Sequence, residues 1–439
     1  MLDIKFIREH PDEVKEGCRK KGVDFDLGRL LELDEERRKI LLEVEGLRAQ
    51  QKRMSKEIYR KKGGADQEAG IDEMRNLKAQ LRDSEKELRP IEDEFHSLMR
   101  MIPNLPLPEV PEGKDETENV VIREVGQRRT FDFPPRDYME IAEDLDIIDT
   151  KRAAKVSGSR FGYLVGDSVF LEFALVRLAL DILMDEGFIP VIPPVMLNYK
   201  AMDGMGYLTR GASEVYHVER DDLYLVGTSE QSIGAMHMGE ILDQGDLPRR
   251  YVGFSTCFRR EAGSYGKDTR GILRVHQFDK VEMFCFCEPE KSRDEHDLIL
   301  AMEEKLVGML GIPYRVVQMC SGDLGDPAAN KRDIDCWMPG LGEYRETHSC
   351  SNCTDFQARR LNVRYRARGQ GSGGTKVRFV HTLNGTACAI GRMIIAIIEN
   401  YQQADGTVLI PDALRGYMGG MERIEKREEG WPSGRRRRS

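Results

Sequence analysis

Residues 258–278 hold the densest run of chemistry-bearing side chains in the chain: Arg259, Arg260, Glu261, then a glycine-punctuated loop, GSYGKDTRG (263–271), then Arg274, Val275 and Phe278. An arginine fork can grip a phosphate through two parallel hydrogen bonds, which lysine cannot copy. Phe278 offers a face on which a base can stack, and Glu282 follows four residues later. A strand, a loop and a second strand can hold a nucleotide in this way. Neither G-x-x-x-x-G-K-[ST] nor a G-x-G-x-x-G after a strand is present, so a P-loop or a Rossmann site is not indicated. An isolated FRxE describes an ordinary salt-bridged hairpin equally well, and its meaning rests on its company. Cys350-x-x-Cys353 is half a zinc ribbon, but no second pair follows at ribbon spacing, so no metal site is expected there. Cys285 and Cys287 alternate along an apolar strand and read as small core residues.

The elements that must carry these residues change character near residue 103. Before it, Leu33, Ile40, Val44, Leu47, Met54 and Ile58 recur in steps of three and four, with Arg37 and Gln51 filling the remaining steps. A second run, from Met74 through Leu77, Leu81, Leu88, Ile91, Phe95 and Leu98, is broken once at Ser84. Each pattern places one narrow stripe on one helix face, the signature of a coiled-coil seam. Gly63-Gly64-Ala65-Asp66 marks a turn between the runs. The two helices are expected to fold back on each other as an antiparallel arm, the first from about Asp34 to Lys62. Pro90 is expected to kink the second helix. Lys52, Arg53, Lys56, Arg60, Lys61 and Lys62 crowd the tip against a single Glu57, which reads as a solvated face or as a phosphate-gripping stripe.

Pro103, Pro106, Pro108 and Pro111 then block helix and favour an extended spacer. Beyond it, helical runs such as Val169 to Glu186 mix with short apolar strands such as Tyr251 to Cys257. The fold class is α+β, an antiparallel sheet flanked by helices behind the long arm. The boundaries read as a helical domain over 1–105, a linker over 106–125, a catalytic domain over 126–425 and a basic tail over 426–439 that includes Arg435 to Arg438. A net charge of −9 excludes wholesale polyanion binding but not local basic patches. No run approaches the roughly 20 apolar residues of a membrane span. With nine scattered cysteines and no basic-then-apolar start, a reduced, cytoplasmic protein is expected.

The company that FRREAGSYGKDTRGILRVHQFDKVEMF keeps is decisive. The segment resembles the second signature of class II aminoacyl-tRNA synthetases in the form typical of the seryl-tRNA synthetase family. GFIPVIPPVM (187–196) is similar to the first signature, EYRETHSCSNCTDFQARR (343–360) to the ATP-binding stretch, and HTLNGTACAIGRMIIAIIENYQQADG (381–406) to the third. Thr228-Ser229-Glu230 matches the family's serine-binding TxE, and the likeness runs nearly end to end.

The resemblance implies a serine–tRNA ligase that uses ATP and Mg2+ and acts on tRNA(Ser) and, where it exists, tRNA(Sec). It further implies a homodimer whose arm binds tRNA. On that reading Arg259 clamps the α-phosphate and the serine carboxylate, and Arg392 holds the γ-phosphate end. Glu261 accepts from the adenine amino group and Phe278 covers the ring, with Arg260, Val275, Thr347 and His348 beside ATP. Glu346 and Ser349 are the candidates for magnesium. Glu282 is expected to take the serine ammonium and Glu230 its hydroxyl, near Thr228, Ser229, Asn384 and Thr386. Thr386 stands where serine is more usual, and Thr347-His348 replace smaller or apolar residues, which puts the local pocket shape in doubt. Two other functions remain open at this point. A relative that loads a carrier protein lacks a long arm, and a non-catalytic paralogue is expected to lose Arg259, Glu282 or Arg392.

Overall fold

The computed structural model describes residues 1–60, 65–263, 268, 270–367 and 376–426. The chain divides into two compact units, Met1–Pro103 and Asn104–Ser439. The first unit is helical. Its arm is built from α1 (Leu27–Arg60) and α2 (Ala65–Met101), packed along their length. Leu33, Val44, Leu77, Leu88 and Phe95 are buried in the seam, as their spacing predicts. Of the three seam positions filled by polar residues, Ser84 and Arg37 have these partners. Ser84 Oγ donates to a Glu43 carboxylate oxygen at 3.1 Å, and Arg37 lies 4.9 Å above the Phe95 ring. The first helix starts seven residues earlier than the apolar stripe suggests, because Leu27 and Leu30 are buried as well. At about 1.5 Å per residue its 34 residues reach about 51 Å. The second helix runs through Pro90 as one element. Ala65 and Asp66, read as turn, already belong to it, while Lys61, Lys62, Gly63 and Gly64 lie outside the described residues.

The second unit is organised by an eight-stranded sheet. Its strands are β1 (Val120–Val125), β2 (Ile189–Val191), β3 (Arg249–Phe258), β4 (Gln277–Cys287), β5 (Tyr314–Gln318), β6 (Asn330–Met338), β7 (Glu343–Asn352) and β8 (His381–Ala389). They lie in the order β1-β5-β6-β7-β8-β4-β3-β2, antiparallel throughout except for the β2–β3 pair. Helices α3 (Asp167–Asp185), α4 (Ser292–Met309) and α5 (Ile390–Asn400) cover it. Helix α5 carries the apolar run Met393–Ile398 and is buried from Met393 to Asn400, enclosed by sheet and helices. All nine cysteines are buried and none is in a disulfide.

The segment read as a linker, 106–125, is part of this unit. Asn104 Nδ2 donates to the carbonyls of Pro327 and Cys353 at 2.9 and 2.8 Å, and Leu107 N donates to Ala329 O. Val120–Val125 then pairs with β5 as the sheet's edge strand. Proline density argues against helix here, and a non-helical chain can satisfy its backbone groups on a domain surface as well as in water. Of the expected tail, 427–439, with Arg435 to Arg438, lies outside the described residues.

Candidate active site

A cleft opens on one face of the sheet. Among the described residues it is lined by Arg259, Glu261, Val275, Phe278, Lys280, Glu346, Thr347, Thr386 and Arg392, with Ile272, Leu273 and Arg274 along one side. Strand ends and two irregularities in the sheet bring these residues together. Arg259 sits just past β3, where its backbone N–H donates to His276 O at 3.0 Å and its Nε donates to Gly227 O at 3.2 Å. Its guanidinium lies 5.3 Å from the centre of the Phe278 ring at the start of β4. Arg392 lies in the first turn of α5, where it and Gly391 are only partly buried, and its Nη1 donates to Glu346 O at 2.7 Å.

The irregularities decide which side chains face the cleft. Glu282 in β4 pairs with Thr386 in β8, but Val281 pairs with Cys388, so Ala387 is an extra residue. Strand side chains alternate, so without that bulge Thr386 would turn to the other face. With it, Thr386 Oγ1 donates to a Glu282 carboxylate oxygen at 3.3 Å. In β7, Thr347 is the extra residue between Glu346 and His348, which pair with Asp335 and Ile334. Glu346 and Thr347 therefore both line the cleft.

Eight expected residues do not line the cleft: Arg260, His348 and Ser349 from the ATP set, and Thr228, Ser229, Glu230, Glu282 and Asn384 from the serine set. His348 is buried, its Nδ1 is 2.8 Å from Thr347 Oγ1, and burial pushes its imidazole down to about 4. It is a neutral core side chain. Ser349 is hydrogen-bonded to Asp333, the residue opposite it in β6. Ser229 is fully buried behind the pocket, with Oγ 3.5 Å from Gly253 O. Arg260 faces Tyr216, 5.8 Å from its ring. Glu261 has a left-handed backbone, φ 50°, and accepts from Arg274 Nη1 at 2.8 Å. Residues 264–267 and 269 of the loop lie outside the described residues.

The electrostatics divide the site into a cationic and an acidic half. Burial raises the Glu346 carboxyl, but Arg392, Lys331 and Arg259 outweigh that and hold it at about 2. The side chain is half exposed, so it is an ionised carboxylate at the open side of the cleft, crowded by cations. Deeper in, Glu282 is buried, with Lys280 Nζ at 2.8 Å. Glu230 is also buried, and among the described residues its oxygens accept from two neutral groups, Tyr207 Oη and Gln357 Nε2, both at 2.9 Å. Burial first, and the Glu282 charge second, raise it to about 6. Thr228 is buried beside it, its Oγ1 3.4 Å from Glu230 N, and Asn384 Nδ2 lies 3.8 Å from Cys353 Sγ. Lys280, Tyr207 and Gln357 were missed in the sequence. Lys280 had a signal, since it lies two residues before Glu282 on one strand and so shares its face.

Two family models match the chain. Residues 1–106 match the seryl-tRNA synthetase N-terminal domain, and residues 215–401 match the tRNA synthetase class II core domain (G, H, P, S and T). The serine–tRNA ligase of Dictyoglomus turgidum is 48% identical over 423 residues, covering 95% of this chain and 98% of that protein. The chain belongs to the seryl-tRNA synthetase family. Among solved structures, the seryl-tRNA synthetase of Pyrococcus horikoshii complexed with ATP is 43% identical, covers 98% of this chain and 100% of its own, and superposes with a TM-score of 0.87. The cytoplasmic serine–tRNA ligase of Naegleria fowleri in complex with AMP follows at 36% identity and a TM-score of 0.83, covering 98% of this chain and 99% of its own. A synthetase of this family is an ATP-dependent ligase, and both halves of the cleft suit that reaction.

Proposed function

We propose that the chain activates L-serine with ATP to seryl-adenylate and transfers the seryl group to the 3′ end of tRNA(Ser), and of tRNA(Sec) where that tRNA exists. The observation that carries this reading is a cleft lined by Arg259 and Arg392 in which two further lining residues, Lys280 and Thr386, contact the buried Glu282. The serine carboxylate attacks the α-phosphorus of ATP and pyrophosphate leaves. Arg259 grips the α-phosphate and the carboxylate, and Arg392 holds the far phosphate end. Phe278 covers adenine, and Glu261 accepts from its amino group by exchanging its bond to Arg274. Such positioned cations lower the barrier by stabilising charge where it develops.

Within the pocket, the geometry favours the reverse of the pairing expected from sequence. Glu282 already has the Lys280 ammonium at 2.8 Å and Thr386 Oγ1 at 3.3 Å, so it suits the serine hydroxyl. Glu230 has no cation at hydrogen-bond distance among its described contacts, so it suits the serine ammonium. A pocket of this kind rejects alanine because Glu282 would then lose a donor in a buried site. The ionised Glu346 fits Mg2+, which needs only one or two carboxylates besides phosphates. When bound, the metal neutralises phosphate charge. Ser349 supports it less well, since its hydroxyl is engaged with Asp333.

The proposal includes a homodimer in the cytoplasm. Phe170 and Phe173 are 50% and 60% exposed on α3, and Ile192, just past β2, is 87% exposed. Large apolar side chains exposed in this way call for a covering surface, and a two-fold copy of the same surface supplies one. Replacing both Phe170 and Phe173 by glutamate is expected to give a monomer by light scattering at micromolar concentration. A monomeric parent protein would defeat the assignment. Among the described residues no helix is long and apolar enough to cross a membrane.

The two units are proposed to divide the labour. A chain lacking Met1–Pro103 is expected to keep serine-dependent pyrophosphate exchange and to lose efficient tRNA charging, because every residue assigned to ATP or serine lies in Asn104–Ser439. A folded truncation that cannot exchange pyrophosphate would refute that division. An aminoacylation assay with serine, threonine and alanine tests the proposal as a whole.

A further inference from the structure

Glu230 is held from behind by side chains from two separate segments, and a third segment braces one of them. Tyr207 Oη donates to its Oε2 at 2.9 Å, and Gln357 Nε2 donates to its Oε1 at 2.9 Å. Each carboxylate oxygen therefore receives one donor, which fixes the rotation of the group and leaves its remaining lone pairs for a ligand. A glutamine amide can be turned end for end, but the Glu230 carboxylate and the Met205 carbonyl only accept, so they hold Nε2 toward themselves. Thr382 completes the arrangement, its Oγ1 donating to Gln357 Oε1 at 2.7 Å. The second hydrogen of Gln357 Nε2 has the Met205 carbonyl at 3.4 Å. Gln357 and Thr382 are both fully buried, where leaving a donor or acceptor unmatched is costly.

We propose that Tyr207, Gln357 and Thr382 form a relay that aims Glu230 at the serine ammonium and keeps it ionised, as positioning residues for amino-acid capture. The inference rests on the reading that Glu230 takes the ammonium. A carboxylate in this place is under pressure to take up a proton. Burial and the facing Glu282 charge push Glu230 up to about 6, against Gln357, Tyr207 and the Lys280 charge, which pull it down. Arg259 and Cys353 face the same group through Tyr207. Burial and Glu230 itself push the Tyr207 phenol well above its usual range, so it remains a donor. Removing one donor leaves the burial and the Glu282 repulsion in place. Glu230 then takes its proton at higher pH, and the ammonium loses its counter-charge. Lys280 cannot compensate, because it is bound to Glu282.

The test is serine-dependent ATP–pyrophosphate exchange by the full-length protein, from about pH 5.5 to about pH 8.5, with KM for serine, KM for ATP and kcat measured separately. In the parent protein kcat/KM for serine should fall as pH drops through about 6. Gln357→Leu and Tyr207→Phe should each raise KM for serine roughly tenfold at neutral pH, leave KM for ATP within about twofold, and move the acid limb to higher pH. Thr382→Val should act in the same direction and less strongly, since it only removes the donor that anchors the far end of the Gln357 amide. An acid limb that does not move, or KM values for serine and ATP that rise together, would overturn the relay. Tyr207→Phe and Thr382→Val each remove a single polar contact, so they carry the test where Gln357→Leu fails to fold. Glu230→Gln separates the two levels. If it leaves KM for serine unchanged, the ammonium assignment itself is wrong. If it raises KM for serine while the relay variants do not, only the relay is wrong.

Discussion

Replacing Arg259 by lysine is expected to slow serine-dependent adenylation roughly 100- to 1,000-fold, the cost of one well-placed transition-state contact of about 3–4 kcal/mol. The charge survives this substitution, so the loss measures geometry. Arg259 spends Nε on the Gly227 carbonyl at 3.2 Å, which fixes the plane of the guanidinium. Phe278, 5.3 Å away, supports that plane. Two terminal nitrogens are thereby presented together, as bridging two oxygens requires. Lysine has no second arm with which to anchor itself while it binds phosphate. Single-turnover adenylate formation is the right measurement, because it isolates chemistry from product release. A tenfold or smaller drop would show that Arg259 is not the α-phosphate clamp.

Reversing the charge at Lys52, Arg53, Lys56 and Arg60 together is expected to raise KM for tRNA by well over tenfold while serine activation stays intact. Lys52, Arg53 and Lys56 are exposed on α1 and give no support to the seam, so the arm should fold without their charge. Each phosphate contact releases counterions, so its loss should flatten the log–log salt dependence of tRNA binding by about 0.9 units on a duplex, or up to roughly three and a half units for all four. A merely solvated face predicts no change in either quantity. If affinity and salt slope are both unaltered, tRNA recognition lies elsewhere on the arm or in the arginine tail.

The arm was legible because its information is local. Steps of three and four between Leu33 and Ile58 place side chains on one helix face whatever the rest of the chain does. The strands around Glu282 were legible for a similar reason, and the ordered signature segments supplied the family. Facts that depend on register were not legible. Whether Thr386 faces Glu282 turns on one extra residue, Ala387, and nothing in HTLNGTACA (381–389) announces a bulge. The same holds for Thr347, whose insertion sends Glu346 to the cleft and His348 to the core. The relay behind Glu230 was hidden more deeply, since Tyr207, Gln357 and Thr382 are brought together only by tertiary folding. The linker reading erred because an extended segment looks the same in sequence whether it hangs in solvent or joins a sheet edge, as Val120–Val125 does.

The burial of all nine thiols gives the molecule an unusual chemical blankness. Burial raises the Cys257, Cys285, Cys336, Cys350 and Cys388 thiols above their usual range, so the nucleophilic thiolate is suppressed as well as shielded. Maleimides and mild oxidants should therefore find little to attack on the folded protein, and reactivity should report unfolding. The same property makes the native sequence a ready background for labelling. A cysteine introduced on the exposed face of the arm would be the dominant reactive thiol, so a fluorophore placed there could time the arrival of tRNA in a protein otherwise unaltered.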